Sequence, residues 1–171
     1  MKLSIKYILL FLVIGFTFAL LIFNNKIITE DVASNDNLRS LSKTYAKIGE
    51  SNYELYVVDT FKDMQKGLAR FDRIEKDQGM LFIFETPGRY SFFMKDMKFD
   101  IDIIFLNETA KVISIFENVK KDSYRTPNDY ESYKPNEPAK YVIELNAGEI
   151  MKNRIKIGDR VNFSIPSKML K

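Results

Sequence analysis

The sequence predicts a mainly β domain, a small β-sandwich or barrel-like fold with two short helices, preceded by an N-terminal transmembrane helix. Three observations predict it. Residues 7–23 form one uncharged apolar run behind Lys2 and Lys6. From Asn52 onward, apolar residues come in short alternating or continuous runs of strand length, separated by turn residues. Within that region only two stretches, after Thr60 and after Gly148, carry helix signals.

The first run reads YILLFLVIGFTFALLIF, 17 residues. As a helix it spans about 25 Å at ~1.5 Å per residue, the short end of what crosses a hydrocarbon core about 30 Å thick. It is longer than the apolar stretch of a cleavable signal, about 7–15 residues. Cleavage at the small pair Thr17 and Ala19 would leave Leu20 to Phe23 exposed. The reading is an uncleaved signal-anchor over residues 1–26, with secretion after signal cleavage as the alternative. A buried core helix would show a polar face, and this run has none. Basic residues ahead of the run keep the N-terminus in the cytoplasm. The membrane is thus the first expected partner, and the rest of the chain is expected outside the cytoplasm, periplasmic or extracellular.

Residues 27–50 are polar, without a clear period, and read as a tether with a helical portion over 37–46. The β domain is assigned to 51–167. Tyr53, Leu55 and Val57 alternate as a strand does, and Thr60 with Asp63 resembles a capping box opening a short helix over 64–69, with Met64 and Leu68 on its buried face. MLFIF at 80–84 reads as a buried strand. Thr86-Pro87-Gly88 reads as a turn leading to a hairpin partner over 90–95. IDIIFL at 101–106, VISIF at 112–116, YVIEL at 141–145 and VNFSI at 161–165 complete the strands, with a second short helix over 149–154.

Composition excludes several chemistries. Lys2, Lys6 and Lys26 are the only charged residues of the first 26, so the remainder carries 23 basic and 23 acidic side chains. A neutral domain without a basic stripe is not a nucleic-acid binder. The absence of Cys removes a thiolate nucleophile and any disulfide framework. The absence of His removes a Ser-His-Asp triad, imidazole metal ligands and histidine acid–base catalysis. No cofactor is expected.

Six motifs recur in order: KGLAR at 66–70, GMLF at 79–82, FMKD at 93–96, IDIIFL at 101–106, YVIELNAG at 141–148 and IGDRV at 157–161. Together they resemble the DUF192 family, also called UPF0127, over about residues 53–165. The resemblance implies a compact, mostly β domain, often carried behind a signal peptide or anchor, and implies no particular activity. The chain departs from the family in three places. Phe93 stands where Trp is common, Asp96-Met97 where Asn-Thr is common, and Arg125-Thr126-Pro127 where some members have Pro-Cys-Pro.

Charged residues inside apolar strands mark the candidate site. Strand alternation places Phe93 and Lys95 on one face, and a lysine starting from a buried face must reach the rim or find a carboxylate. Asp102 and Glu144 pose the same problem within IDIIFL and YVIEL. The functional reading is a polar pocket of Arg70, Lys95, Asp102, Glu144 and Asn146, and the bland reading is structural ion pairing or solvent-facing charge. Asn146 also fits as a helix cap. Asp96, Asp100 and Asp102 lack the glycine turn and closing glutamate of a calcium loop, and no metal site is expected. The long segment 120–140 carries Tyr124, Arg125, Tyr130 and Tyr133, a candidate binding loop, because tyrosines there supply adaptable contact surface.

Two functions follow. The first is a tethered extracytoplasmic binding or accessory module that contacts an envelope protein or glycan, and the missing His and Cys favour it. The alternative is a carboxylate-dependent envelope hydrolase acting on glycan, with Asp102 and Glu144 converging across a cleft as acid and nucleophile.

Overall fold

The computed structural model describes residues 41–166. The expected membrane segment and most of the tether lie outside the described residues. Among the described residues, no helix is long and apolar enough to cross a membrane.

Seven strands make one sheet: β1 (Ser42–Ile48), β2 (Ser51–Val58), β3 (Gln78–Gly88), β4 (Ile101–Leu106), β5 (Val112–Val119), β8 (Ala139–Asn146) and β9 (Asn162–Phe163). Two short strands, β6 (Tyr124–Thr126) and β7 (Asp129–Tyr130), pair separately. The helices are α1 (Phe61–Lys66), which runs into a 3₁₀ turn at Gly67–Arg70, and α2 (Glu149–Lys152). The large sheet has the order β5-β4-β8-β3-β2-β1-β9. Every neighbouring pair is antiparallel except β2 and β3.

The sheet curls into a half-barrel. At one end the Val112 amide donates to the Asp159 carbonyl at 2.8 Å, and the Val161 amide donates to the Ala110 carbonyl at 2.9 Å. These bonds draw the segment leading into β9 against the start of β5, at the opposite edge of the strand order. The inner core gathers residues from around the whole curl, among them Ile48, Leu55, Leu81, Ile104, Val112 and Ile143, with Phe163 packed against it. Alternation sends the other residues of the central strands to the opposite face. There Met80, Phe82, Ile103, Phe105 and Val142 are also buried. Chain segments cover that second face, and the candidate site lies between them and the sheet.

Three sequence expectations meet a different outcome. Ser42–Ile48, which composition placed in the tether and partly in a helix, is β1, paired residue for residue with β2. Its Thr44, Ala46 and Ile48 are buried alternately with exposed Lys43, Tyr45 and Lys47, a strand pattern that the polar neighbours obscured. Residues 90–95 do not pair with 80–84 as a hairpin. Both edges of β3 are taken, one by β2 in parallel and the other by β8. Parallel pairing requires a crossover, and the segment through α1 is that crossover. The Thr86-Pro87-Gly88 stretch therefore ends β3 instead of turning it back, with a register shift between Ile83 and Gly88.

The first helix signal is real. Thr60 Oγ1 accepts the Asp63 amide at 3.2 Å and donates to Asp63 Oδ2 at 2.7 Å. The helix starts three residues earlier than expected, Met64 is only half-buried on it, and Leu68 is buried from the 3₁₀ turn that follows.

Candidate functional site

A cavity of about 1020 Å³ opens between α1 with its 3₁₀ turn, the second face of β3 and β8, and the segment 90–97. One side of it is aromatic, and charged side chains stand around the rest. Phe82 and Phe84 lie two apart on β3 and so share a face, and the ring of Phe92 meets both edge-on, at 85° and 89°. Tyr90 stacks on Phe84 with ring centroids 3.7 Å apart. Phe61 and Phe93, both exposed, stand at the margin.

Glu144 comes up through the sheet into this aromatic setting. It faces Met80 on β3 and Ile103 on β4, so it shares their buried face. The residue is 6% exposed, and its Oε2 has no hydrogen-bond partner. Burial pushes its carboxyl up to about 8, and the nearby Leu68 amide opposes that shift only in part. At neutral pH the group is mostly a protonated acid, because an unpaired carboxylate is costly in an apolar place. Gly67 lies beside this carboxyl. With φ +46° and no side chain, it lies where an added Cβ would be 3.8 Å from Glu144 Oε2.

Of the five residues predicted to share a pocket, the cavity brings together Arg70, Lys95 and Glu144. Arg70 is engaged by its own turn, donating to the Gly67 carbonyl at 3.1 Å and to the Asp63 carbonyl and carboxylate at 2.9 and 3.2 Å. Lys95 is exposed at the rim. Asp102 and Asn146 lie elsewhere. Asp102 faces Leu145 across the β4–β8 pair, whereas Glu144 faces Ile103. The two carboxylates therefore point to opposite sides of the sheet and cannot converge on one bond. Asp102 is wholly buried, and it accepts the Asn118 amide and the Ile150 amide, each at 2.8 Å. It is a structural acceptor that caps α2 from a distant strand. Asn146 does not cap that helix. Gly148 holds the N-cap position with φ 89°, and the Asn146 side chain instead donates to the Glu75 carbonyl at 2.9 Å.

The acidic cluster is likewise dispersed. Asp96 lines the cavity. Asp100 is held well below the usual carboxylate range by the Lys120 ammonium and the Lys121 amide. Among the described residues, no group of three acidic side chains stands together as a metal site would require.

The tyrosine segment is an ordered hairpin. Arg125 forks onto Asp129 with both bonds at 2.7 Å. Tyr124 and Tyr130 lie 5.4 Å apart, and each ring is 5.7 Å from Phe93. Tyr133 turns inward, packs on Phe116 at 5.4 Å and pairs its backbone with Phe92. The two regions singled out from sequence thus meet at Phe93, which belongs to both the cavity margin and the hairpin's aromatic face. Sequence reasoning missed Gly67, Phe82, Phe84 and Phe92. The spacing of Phe82 and Phe84 was a usable signal for one aromatic face.

The model of the DUF192 family, described as an uncharacterized ACR, matches residues 44–163. A UPF0127 protein of Thermococcus gammatolerans is 26% identical over 130 residues, covering 75% of this chain and 76% of that protein. Two crystal structures share the fold. One, from Sinorhizobium meliloti 1021 and provisionally named a transcription regulator, has a TM-score of 0.63 at 23% identity, covering 72% of this chain and 95% of that one. The other, a protein of unknown function from Novosphingobium aromaticivorans, has a TM-score of 0.59 at 23% identity, covering 71% and 84%. Both likenesses are of fold alone. The family match spans most of the chain and includes every motif quoted from the sequence: this chain belongs to the DUF192 family.

Proposed function

We propose that the domain is a non-catalytic binding module, carried on the outer face of the cytoplasmic membrane by its N-terminal segment, that takes a small envelope component into the aromatic cavity. The observation that carries this reading is Glu144, a single carboxyl buried at the cavity with an unpartnered oxygen. Concave, mostly apolar sites with one or two placed polar groups are the usual form of small-molecule sites. A glycan-cleaving site needs two carboxyl groups about 5–9.5 Å apart across the bond, and the pair named for it lies on opposite faces of the sheet. The membrane placement rests on the apolar run at 7–23 and the lysines ahead of it.

The test is native mass spectrometry of the full chain isolated from its own membranes. A bound small molecule is expected, and Ser91→Trp, which places an indole at the cavity wall, is expected to expel it while the circular dichroism spectrum stays unchanged. A parent chain of unliganded mass, or a ligand retained in the tryptophan variant, overturns the reading.

A further inference from the structure

Resting on that cavity as the binding site, we infer that its ligand is an organic ammonium, seated among Phe82, Phe84 and Phe92 with its charge against the Glu144 carboxylate. Three observations carry this. Glu144 lacks a cationic partner: Arg70 is committed to Asp63 and Gly67, and no Lys or Arg among the described residues forms an ion pair with it. The part of the wall beside Glu144 carries the rings of Phe82, Phe84 and Phe92, and ring faces attract a cation through the ring quadrupole. The cavity, at about 1020 Å³, is far larger than a bare ion, so the cation has an organic body.

A metal ion does not fit. Ca²⁺ and Mg²⁺ require six or more oxygen ligands or retained waters, and among the described residues no three acidic side chains stand together to supply them. An alkylammonium is weakly hydrated and needs only one counter-charge.

The charged surroundings do not repel such a ligand. Lys66 on α1, Arg70 on the 3₁₀ turn and Lys95 on the covering segment are matched by Asp59, Glu85 and Asp96 around the same cavity. From the sheet, the residues directly beside Glu144 are Met80 and Ile103, which do not titrate. Glu144 is thus the group whose ionisation controls the site. Its carboxyl is raised to about 8 when empty, so an ammonium entering at neutral pH displaces a proton to solvent. Affinity then rises by about tenfold per pH unit below that value and levels above it.

The experiment is calorimetric titration of the full chain in non-ionic detergent with choline, with its neutral carbon isostere dimethylbutanol, and with N-acetylglucosamine, from pH 6 to pH 9. Choline is expected to bind at least about tenfold more tightly than dimethylbutanol at pH 8. Its affinity is expected to climb with pH, and about one proton is expected to leave per choline bound at neutral pH. Glu144→Gln is expected to abolish the preference for choline while leaving dimethylbutanol binding intact. If that variant fails to fold, Phe84→Leu provides the second reading, expected to weaken choline selectively. Equal binding of choline and its isostere, a pH-independent affinity, or no choline binding overturns the inference. If dimethylbutanol or the sugar binds at least as tightly as choline and Ser91→Trp blocks it, the ammonium assignment falls while the cavity stands. If Ser91→Trp blocks no probe that binds, both fall.

Discussion

Gly67 and Glu144 meet across the cavity wall: a methyl group on Gly67 would lie 3.8 Å from Glu144 Oε2 and 3.5 Å from the Phe82 ring. Those are ordinary contacts, so space alone does not demand glycine. The backbone does, with φ 46° and ψ −143° at the C-cap of α1, a conformation that side-chain-bearing residues rarely adopt. Gly67→Ala is therefore expected to cost about 1–3 kcal/mol, measured by urea denaturation, and to cover the carboxyl with a methyl group. A variant as stable as the parent would show that the turn relaxes without strain.

Glu144 links the cavity to pH-dependent stability. Its folded-state value near 8 lies above the ordinary 4.5. The folded chain thus holds a proton that the unfolded chain releases, so the contribution is complete below 4.5 and is lost as pH climbs toward 8. The full shift corresponds to something on the order of 5 kcal/mol. Glu144→Gln carries no such group, so the parent is expected to lose stability relative to the variant across this window. Denaturation of both proteins at several pH values measures the gap, and a gap that stays flat would mean that water reaches the carboxyl freely.

Phe93 joins the hairpin to the cavity margin. It is 48% exposed, and its partner Tyr130 is 45% exposed, so the hydrophobic area at stake is modest. Aromatic pairs add about 0.5–1.5 kcal/mol each, and Phe93 makes two. Phe93→Ala is expected to lower global stability by about 1–2 kcal/mol and to speed hydrogen exchange over 124–130 more than in β4 or β8. Uniform acceleration across the sheet would contradict a local role.

The strands rich in apolar residues were legible because alternation and continuous runs survive any topology. Leu55, Leu81, Ile104 and Ile143 all lie in the core that those patterns imply. The neighbours of β3 were not legible. Nothing local in MLFIF says that β2 lies parallel on one side and β8 on the other, since parallel pairing is set by the crossover through α1. The same limit split the pocket prediction. Charged residues inside strands were correctly identified as needing explanation, but each faces a different side. One step of register separates Asp102, bound to two amides, from Glu144 at the cavity. Asn146 misled for a related reason: a cap residue in sequence is an expectation about the adjacent helix, and here a carboxylate 48 residues away serves that helix instead.

Asp102 supplies the sharpest contrast with Glu144. The β4–β5 pairing shifts register between Ile101 and Ile103, and Asn118 there adopts φ 50°. The shift frees the Asn118 amide, and Asp102 Oδ1 accepts it, while Oδ2 accepts the Ile150 amide at the start of α2. Asp102→Ala would orphan the buried Ile150 amide, costing about 1–3 kcal/mol, and leave the part-buried Asn118 amide to water at a smaller cost. A total loss of about 2–4 kcal/mol is expected, readable as a fall in the urea midpoint. Asp102→Asn is expected to recover only part of that loss, because its NH₂ group would confront one of the two amides. For whatever fraction remains folded, choline titration should be unchanged, since Asp102 faces the inner core and Glu144 the cavity. Loss of binding in a folded Asp102→Asn protein would mean that the two carboxyls act together after all, through a rearrangement that brings one of them to the other side of the sheet.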